Sequence, residues 1–126
     1  MPFIHIKSLP FDPPIDAGPA LMVVSREFAA ATGVDLEHVT ATWEFLAPHH
    51  YAVAGETAAS QVPDSHPVLV DLLAPDFNSP ETVQTMLEAV AQSIARVSGV
   101  ASQNVFVNYR EAHAGQVLDA GEIVRW

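Results

Sequence analysis

The chain carries itself twice. Residues 22–56 laid over residues 88–122, an offset of 66, pair Gly33 with Gly99, Val34 with Val100 and Val39 with Val105. The same shift pairs the aromatic Trp43 with Tyr109 and sets Ala54-Gly55-Glu56 on Ala120-Gly121-Glu122. Self-similarity at a fixed offset makes each copy one supersecondary unit, so the fold must be a doubled one. At 126 residues the copies, approximately 1–58 and 66–124, fill a single domain spanning 1–126.

Each copy reads strand, helix, strand. Residues 2–8 (PFIHIKS) alternate Ile4 and Ile6 against Phe3, His5 and Lys7, a strand pattern that tolerates proline at its first position. Pro10 to Pro14 form a rigid turn. A helix follows, capped by Asp16, with Pro19 in its first turn, Leu21, Val24, Phe28 and Ala31 on one stripe, and Gly33 as its stop. Residues 38–46 (HVTATWEFL) are the second strand, and residues 47–65 a loop longer than most connections. Pro67 then opens a third strand (PVLVDLL), whose near-continuous apolar run suits burial on both faces. Ser79 caps the second helix, Pro80 follows it, Val83, Leu87, Val90, Ile94 and Val97 make its stripe, and Gly99 ends it. Residues 104–110 (NVFVNYR) form the fourth strand, and the tail to Trp126 offers one further short strand.

Two βαβ units with right-handed crossovers predict an α/β (α+β) fold, a four-stranded mixed sheet with both helices on one face. The other face is left uncovered, and its apolar side chains need a partner. Sister subunits are the expected cover. Hydrophobic residues make up 49% of the chain and charged ones 16%, a globular composition. No run of about 18 apolar residues is present, so no membrane span is expected. Met1 leads into alternating strand-like sequence instead of a secretory leader, so the expected location is cytoplasmic. Fifteen acids against five bases give a net charge of −10, which leaves no basic face for nucleic acid and disfavours highly anionic substrates. With no cysteine there is neither disulfide nor thiolate chemistry.

Pro2 is the sharpest candidate for chemistry. Methionine before a small residue is commonly trimmed, and its loss here would leave a secondary amine as the chain terminus. Such an amine titrates at about 8 when exposed, and lower when an apolar pocket disfavours its charge. It can then take a proton from carbon and return it elsewhere. Many chains begin Met-Pro without using the amine, so the dipeptide needs its context.

That context is a resemblance over nearly the whole length. Residues 104–117 (NVFVNYREAHAGQV) look like the fourth strand and following turn of macrophage migration inhibitory factor, and residues 28–34 (FAAATGV) like the end of that family's first helix. Residues 50–58 (HYAVAGETA) resemble the loop after the second strand of 4-oxalocrotonate tautomerase. With the Met-Pro start and the duplication, the chain resembles the tautomerase superfamily, whose members are βαβ units, single or fused in pairs, with an N-terminal proline as base. The resemblance implies a homotrimer with three pockets between subunits and a small enol or 2-oxo acid as substrate, and no cofactor or metal is expected. Pro2 would be the base. Asn108 falls at a pocket asparagine that can hydrogen-bond a substrate oxygen, Phe106 at a pocket tyrosine whose hydroxyl is missing here, and Tyr51 at an aromatic position near the proline. Arg110 shares a strand face with Phe106 and Asn108 by alternation, and would hold one carboxylate or pair with an acid of its own chain.

The departures are informative too. Val34 replaces the lysine after the glycine in the migration-factor branch, and Val39 or Thr40 stands where 4-oxalocrotonate tautomerase has an arginine, so diacids are poor candidates. His49, His50 and His66 lie near Asp64, yet no HxH or HxxxH spacing supports a metal shell. His5 reads as a sheet residue, His113 as a turn residue, and Asp71 as an acid in a buried-looking strand. Two alternatives stay open. One is water addition, dehalogenation or decarboxylation in the same pocket, which needs a protonated Pro2 and a carboxylate such as Glu44 or Glu111. The other is a non-catalytic binding module, expected if Met1 stays and Pro2 remains an amide.

Overall fold

The computed structural model describes Met1–Trp126. In chain order the elements are β1 (Phe3–Ser8), α1 (Ala17–Thr32), β2 (Thr40–Phe45), β3 (Ala52–Val53), β4 (Glu56–Thr57), β5 (Val68–Pro75), α2 (Pro80–Ser98), β6 (Val105–Ala112), β7 (Leu118–Asp119) and β8 (Glu122–Ile123). Single 3₁₀ turns at Leu36–His38 and Ser102–Asn104 lead into β2 and β6.

The main sheet runs β2-β1-β5-β6. β1 is parallel to β2 and β5 to β6, and the two halves join antiparallel through β1 and β5. The sheet is therefore mixed, as expected. Alternation divides its faces cleanly. Ile4 and Ile6 of β1 and Val68, Val70, Leu72 and Ala74 of β5 are buried against Val24 and Phe28 of α1 and Met86, Val90 and Ile94 of α2. The opposite face carries three rows across the strands, Thr40–Phe3–Leu73–Arg110, Thr42–His5–Asp71–Asn108 and Glu44–Lys7–Leu69–Phe106. In β5 the residues between the buried ones, Leu69, Asp71 and Leu73, are only half-covered. The apolar run of this strand is thus buried on one face within a single chain.

The helix ends follow from local chemistry. The Asp16 carboxylate accepts from Gly18 N–H and the Ser79 hydroxyl from Thr82 N–H, which satisfies donors the helices leave free. Gly33 and Gly99 end them at φ +76° and +75°. Thr32 and Ser98 each turn a hydroxyl back to the carbonyl four residues earlier, Phe28 at 2.7 Å and Ile94 at 2.6 Å.

The loop after β2 contains a small hairpin, β3–β4, and the tail forms a matching one, β7–β8, where one short strand was expected. His49 N–H to the Ala58 carbonyl at 2.9 Å recurs as Gly115 N–H to the Val124 carbonyl at 2.8 Å, 66 residues on. Ala54-Gly55 and Ala120-Gly121 turn the two hairpins with positive φ at both positions, the backbone that a tight two-residue turn requires. β2 begins at Thr40, because the residues before it form the 3₁₀ turn. No helix is long and apolar enough to cross a membrane.

Candidate active site

β1 delivers Pro2 to one end of the sheet. The residue is buried, and its carbonyl accepts from the Thr40 backbone N–H at 3.0 Å, which ties it to the start of β2. Beside it lies a cavity of about 450 Å³ lined by Met1, Pro2, Phe3, Glu37, His38, Thr40, Leu73, Val117, Leu118 and Asp119. The volume suits a small organic molecule. The 3₁₀ turn before β2 supplies Glu37 and His38, β5 supplies Leu73, and the β7 region supplies Val117, Leu118 and Asp119.

Burial pushes the Met1 amine below its ordinary value of about 8, and the Asp119 carboxylate pulls it partly back. An amine at this end of the sheet is thus partly stripped of water. Removal of Met1 would move the terminal nitrogen one residue deeper, onto Pro2.

The tail wall is pinned from outside. Trp126 Nε1 donates to Asp76 Oδ1 at 2.7 Å, His113 Nδ1 sits 3.0 Å from Asp76 Oδ2, and the Trp126 ring meets Phe77 edge-on at 6.0 Å. The indole N–H first, then His113, hold the Asp76 carboxyl below its usual range. The arm that carries Val117 to Asp119 therefore ends on the loop between β5 and α2.

The other expected site residues lie elsewhere in the chain. Phe106, Asn108 and Arg110 share the outer sheet face, on β6, two strands from β1 and so about 10 Å across. Arg110 Nε lies 3.8 Å from Asp71 Oδ1, so the arginine answers an acid of its own chain. Tyr51 sits past the far end of β1, six residues or about 20 Å along the strand, and donates its hydroxyl to the Pro67 carbonyl at 2.7 Å. Burial raises its phenol above the ordinary value. The offset of 66 explains the placement, since it maps Pro2 to Val68 and Tyr51 to Val117. Val117 is the residue that lines the proline cavity. The same shift applied to Tyr51 in the sequence would have found it, whereas Glu37, His38 and Asp119 carry no motif. Val34 and Val39 pack against the core.

Among possible metal ligands, His49 Nδ1 lies 2.8 Å from Thr57 Oγ1, and His66 places its two ring nitrogens against Ser65 Oγ and the Glu56 carbonyl. Asp35, Glu37 and His38 bring one ligand atom each within 4.8 Å of one another, all on exposed surface.

No protein-family model and no curated protein matches the sequence. Solved structures match it closely in fold, and that fold is the tautomerase superfamily's, the fused 4-OT form included. Pt0534, in a crystal structure of the form inactivated by 2-oxo-3-pentynoate, superposes with a TM-score of 0.81 at 16% identity over 97% of this chain and 94% of that one. A wild-type fused 4-OT, an asymmetric trimer, gives 0.80 at 12% identity over 96% and 94%. A macrophage migration inhibitory factor from Oncomelania hupensis gives 0.75 at 11% identity over 98% and 83%.

Proposed function

We propose that the protein is a tautomerase-like isomerase that moves a proton between carbon and oxygen, or between carbons, of a small enol or 2-oxo compound. The observation that carries this reading is the buried Pro2 at the head of β1, its carbonyl held by Thr40, lining a cavity at the end of the sheet where burial lowers the pKa of the Met1 amine. With Met1 removed, the neutral proline nitrogen takes the proton and returns it to the other atom. Asn108 holds the developing oxyanion, and Phe106 and Tyr51 close the walls. These three lie beyond the reach of their own Pro2, so a neighbouring copy supplies them in a homotrimer with three inter-subunit pockets. The trimeric fused 4-OT supports that arrangement.

The test combines labelling with turnover. An acetylenic ketone such as 2-oxo-3-pentynoate adds across its triple bond to a neutral amine, the amine proton passing to carbon, so the protein gains the whole reagent mass. Met1-free protein should carry that label on Pro2 and should ketonise an aryl enolpyruvate or its methyl ester. Protein that keeps Met1 should do neither. Trimmed protein that takes no label and turns over neither compound would overturn the assignment.

A further inference from the structure

Building on that reading of Pro2, we infer that the pocket selects carbonyl compounds without a negative charge (esters, amides, simple ketones and their enols) over free 2-oxo acids. Its charged wall residues are acids. Glu37 of the turn before β2 and Asp119 of the tail hairpin stand at the cavity rim, and no lysine or arginine lines the cavity. Asp119 stands close enough to the amino terminus for its carboxylate to act on the amine. His38 Nε2 lies 3.7 Å from the Glu37 carboxylate, so these two wall residues answer each other and Asp119 is the wall acid without such a partner.

Outside the cavity, the outer sheet face of the same chain carries two basic residues, Lys7 and Arg110. Arg110 lies 3.8 Å from Asp71, so that pair adds little net charge, and Lys7 stands two rows further along the sheet from the Phe3–Leu73 row that lines the cavity. Arg96 is held by Glu27 at 3.1 Å on the helical side, remote from the sheet face. A substrate carboxylate beside Pro2 would thus meet the Asp119 carboxylate and no lysine or arginine in the cavity wall, in a protein whose net charge is already −10. Like charges at this range raise the free energy of the bound anion and leave an ester untouched. The apolar walls, Phe3, Leu73, Val117 and Leu118, still receive an aryl or alkyl group.

The experiment compares an aryl enolpyruvate with its methyl ester on Met1-free protein, each kcat/KM divided by the uncatalysed rate. The ester should lead by about tenfold or more at low salt. The acid's value should rise as salt screens the repulsion, and the ester's should not. Glu37→Gln and Asp119→Asn should each narrow the ester-to-acid ratio, a readout that cancels any change common to both compounds. An acid turned over as well as its ester, or slowed by added salt, would overturn the inference. If neither compound is turned over, the proton-transfer reading fails by itself, and calorimetric affinities of the two keto forms decide selectivity. Tighter binding of the ester supports it, and equal or tighter binding of the acid overturns it.

Discussion

The tail hairpin lines the cavity beside Pro2 and is tied at its base to Asp76, and each of these two residues makes a prediction about pH. A base must be neutral to work, so kcat/KM should rise with pH through the titration of the Pro2 amine. Burial lowers the pKa of an amine at this position, so the inflection should fall below the ordinary value of about 8. A pH–rate profile that instead falls on raising the pH through that range would assign Pro2 an acid role and favour hydration or dehalogenation. Asp76 is held below its ordinary value by the Trp126 N–H and by His113. A carboxyl lowered in this way stabilises the folded chain above its unfolded value, and that stabilisation is lost as pH falls through the folded one. Asp76→Asn should therefore lower Tm at pH 6, with the gap closing on acidification below about 4. Thermal melts down to pH 2 check this, and a gap that stays constant would show that the carboxylate charge does not hold the arm.

The same residue type at matched positions in both repeats makes the elements unusually predictable. Gly33 and Gly99 end α1 and α2 at nearly identical left-handed φ, and a Cβ on either would meet nothing within 4 Å. Alanine there should cost backbone strain alone, about 1–2 kcal/mol, and by a similar amount at both sites. Urea unfolding of Gly33→Ala and Gly99→Ala measures it, and unequal losses would mean that the helix ends are not equivalent. The caps, stripes and glycine stops were legible because each is decided within a few residues, by Asp16, Ser79 and the two glycines. The four main strands and the helical face were legible for the same reason, through alternation and the doubled unit. The cavity walls were not. Glu37 and His38 reach Pro2 only because a 3₁₀ turn precedes β2, and Asp119 only because the tail folds into a hairpin anchored by Trp126 to Asp76. Those are long-range packing outcomes that no local pattern encodes. Tyr51 was expected beside the proline because its loop resembles a relative's, yet in its own chain it serves the second repeat, where Val68 stands in place of Pro2.

At the scale of the whole molecule, the outer sheet face decides whether a single chain can function. It places Phe3, Leu69, Leu73 and Phe106 among His5, Lys7, Glu44, Asp71 and Arg110, and four of these polar residues form diagonal pairs, His5 with Glu44 at 3.4 Å and Arg110 with Asp71 at 3.8 Å. Matched charges can enter an interface at less cost than lone ones. The outer strands β2 and β6 also leave backbone donors and acceptors for another chain. Phe106, on the β6 edge of this face, is 57% exposed. Phe106→Asp should cost the isolated chain little, within about 0.5 kcal/mol, because the ring is not in its core. In an assembled molecule the same change buries an unpaired charge, which costs several kcal/mol. Light scattering on the wild type should therefore give three times 13.5 kDa, and Phe106→Asp should give one. The variant should keep its far-UV circular dichroism and lose turnover, whereas Phe106→Leu should keep both the larger mass and the activity. A wild-type protein that is monomeric and active at micromolar concentration would show that one chain completes its own site. The oxyanion donor would then have to be sought near Pro2 itself, among the residues of the 3₁₀ turn and the tail hairpin.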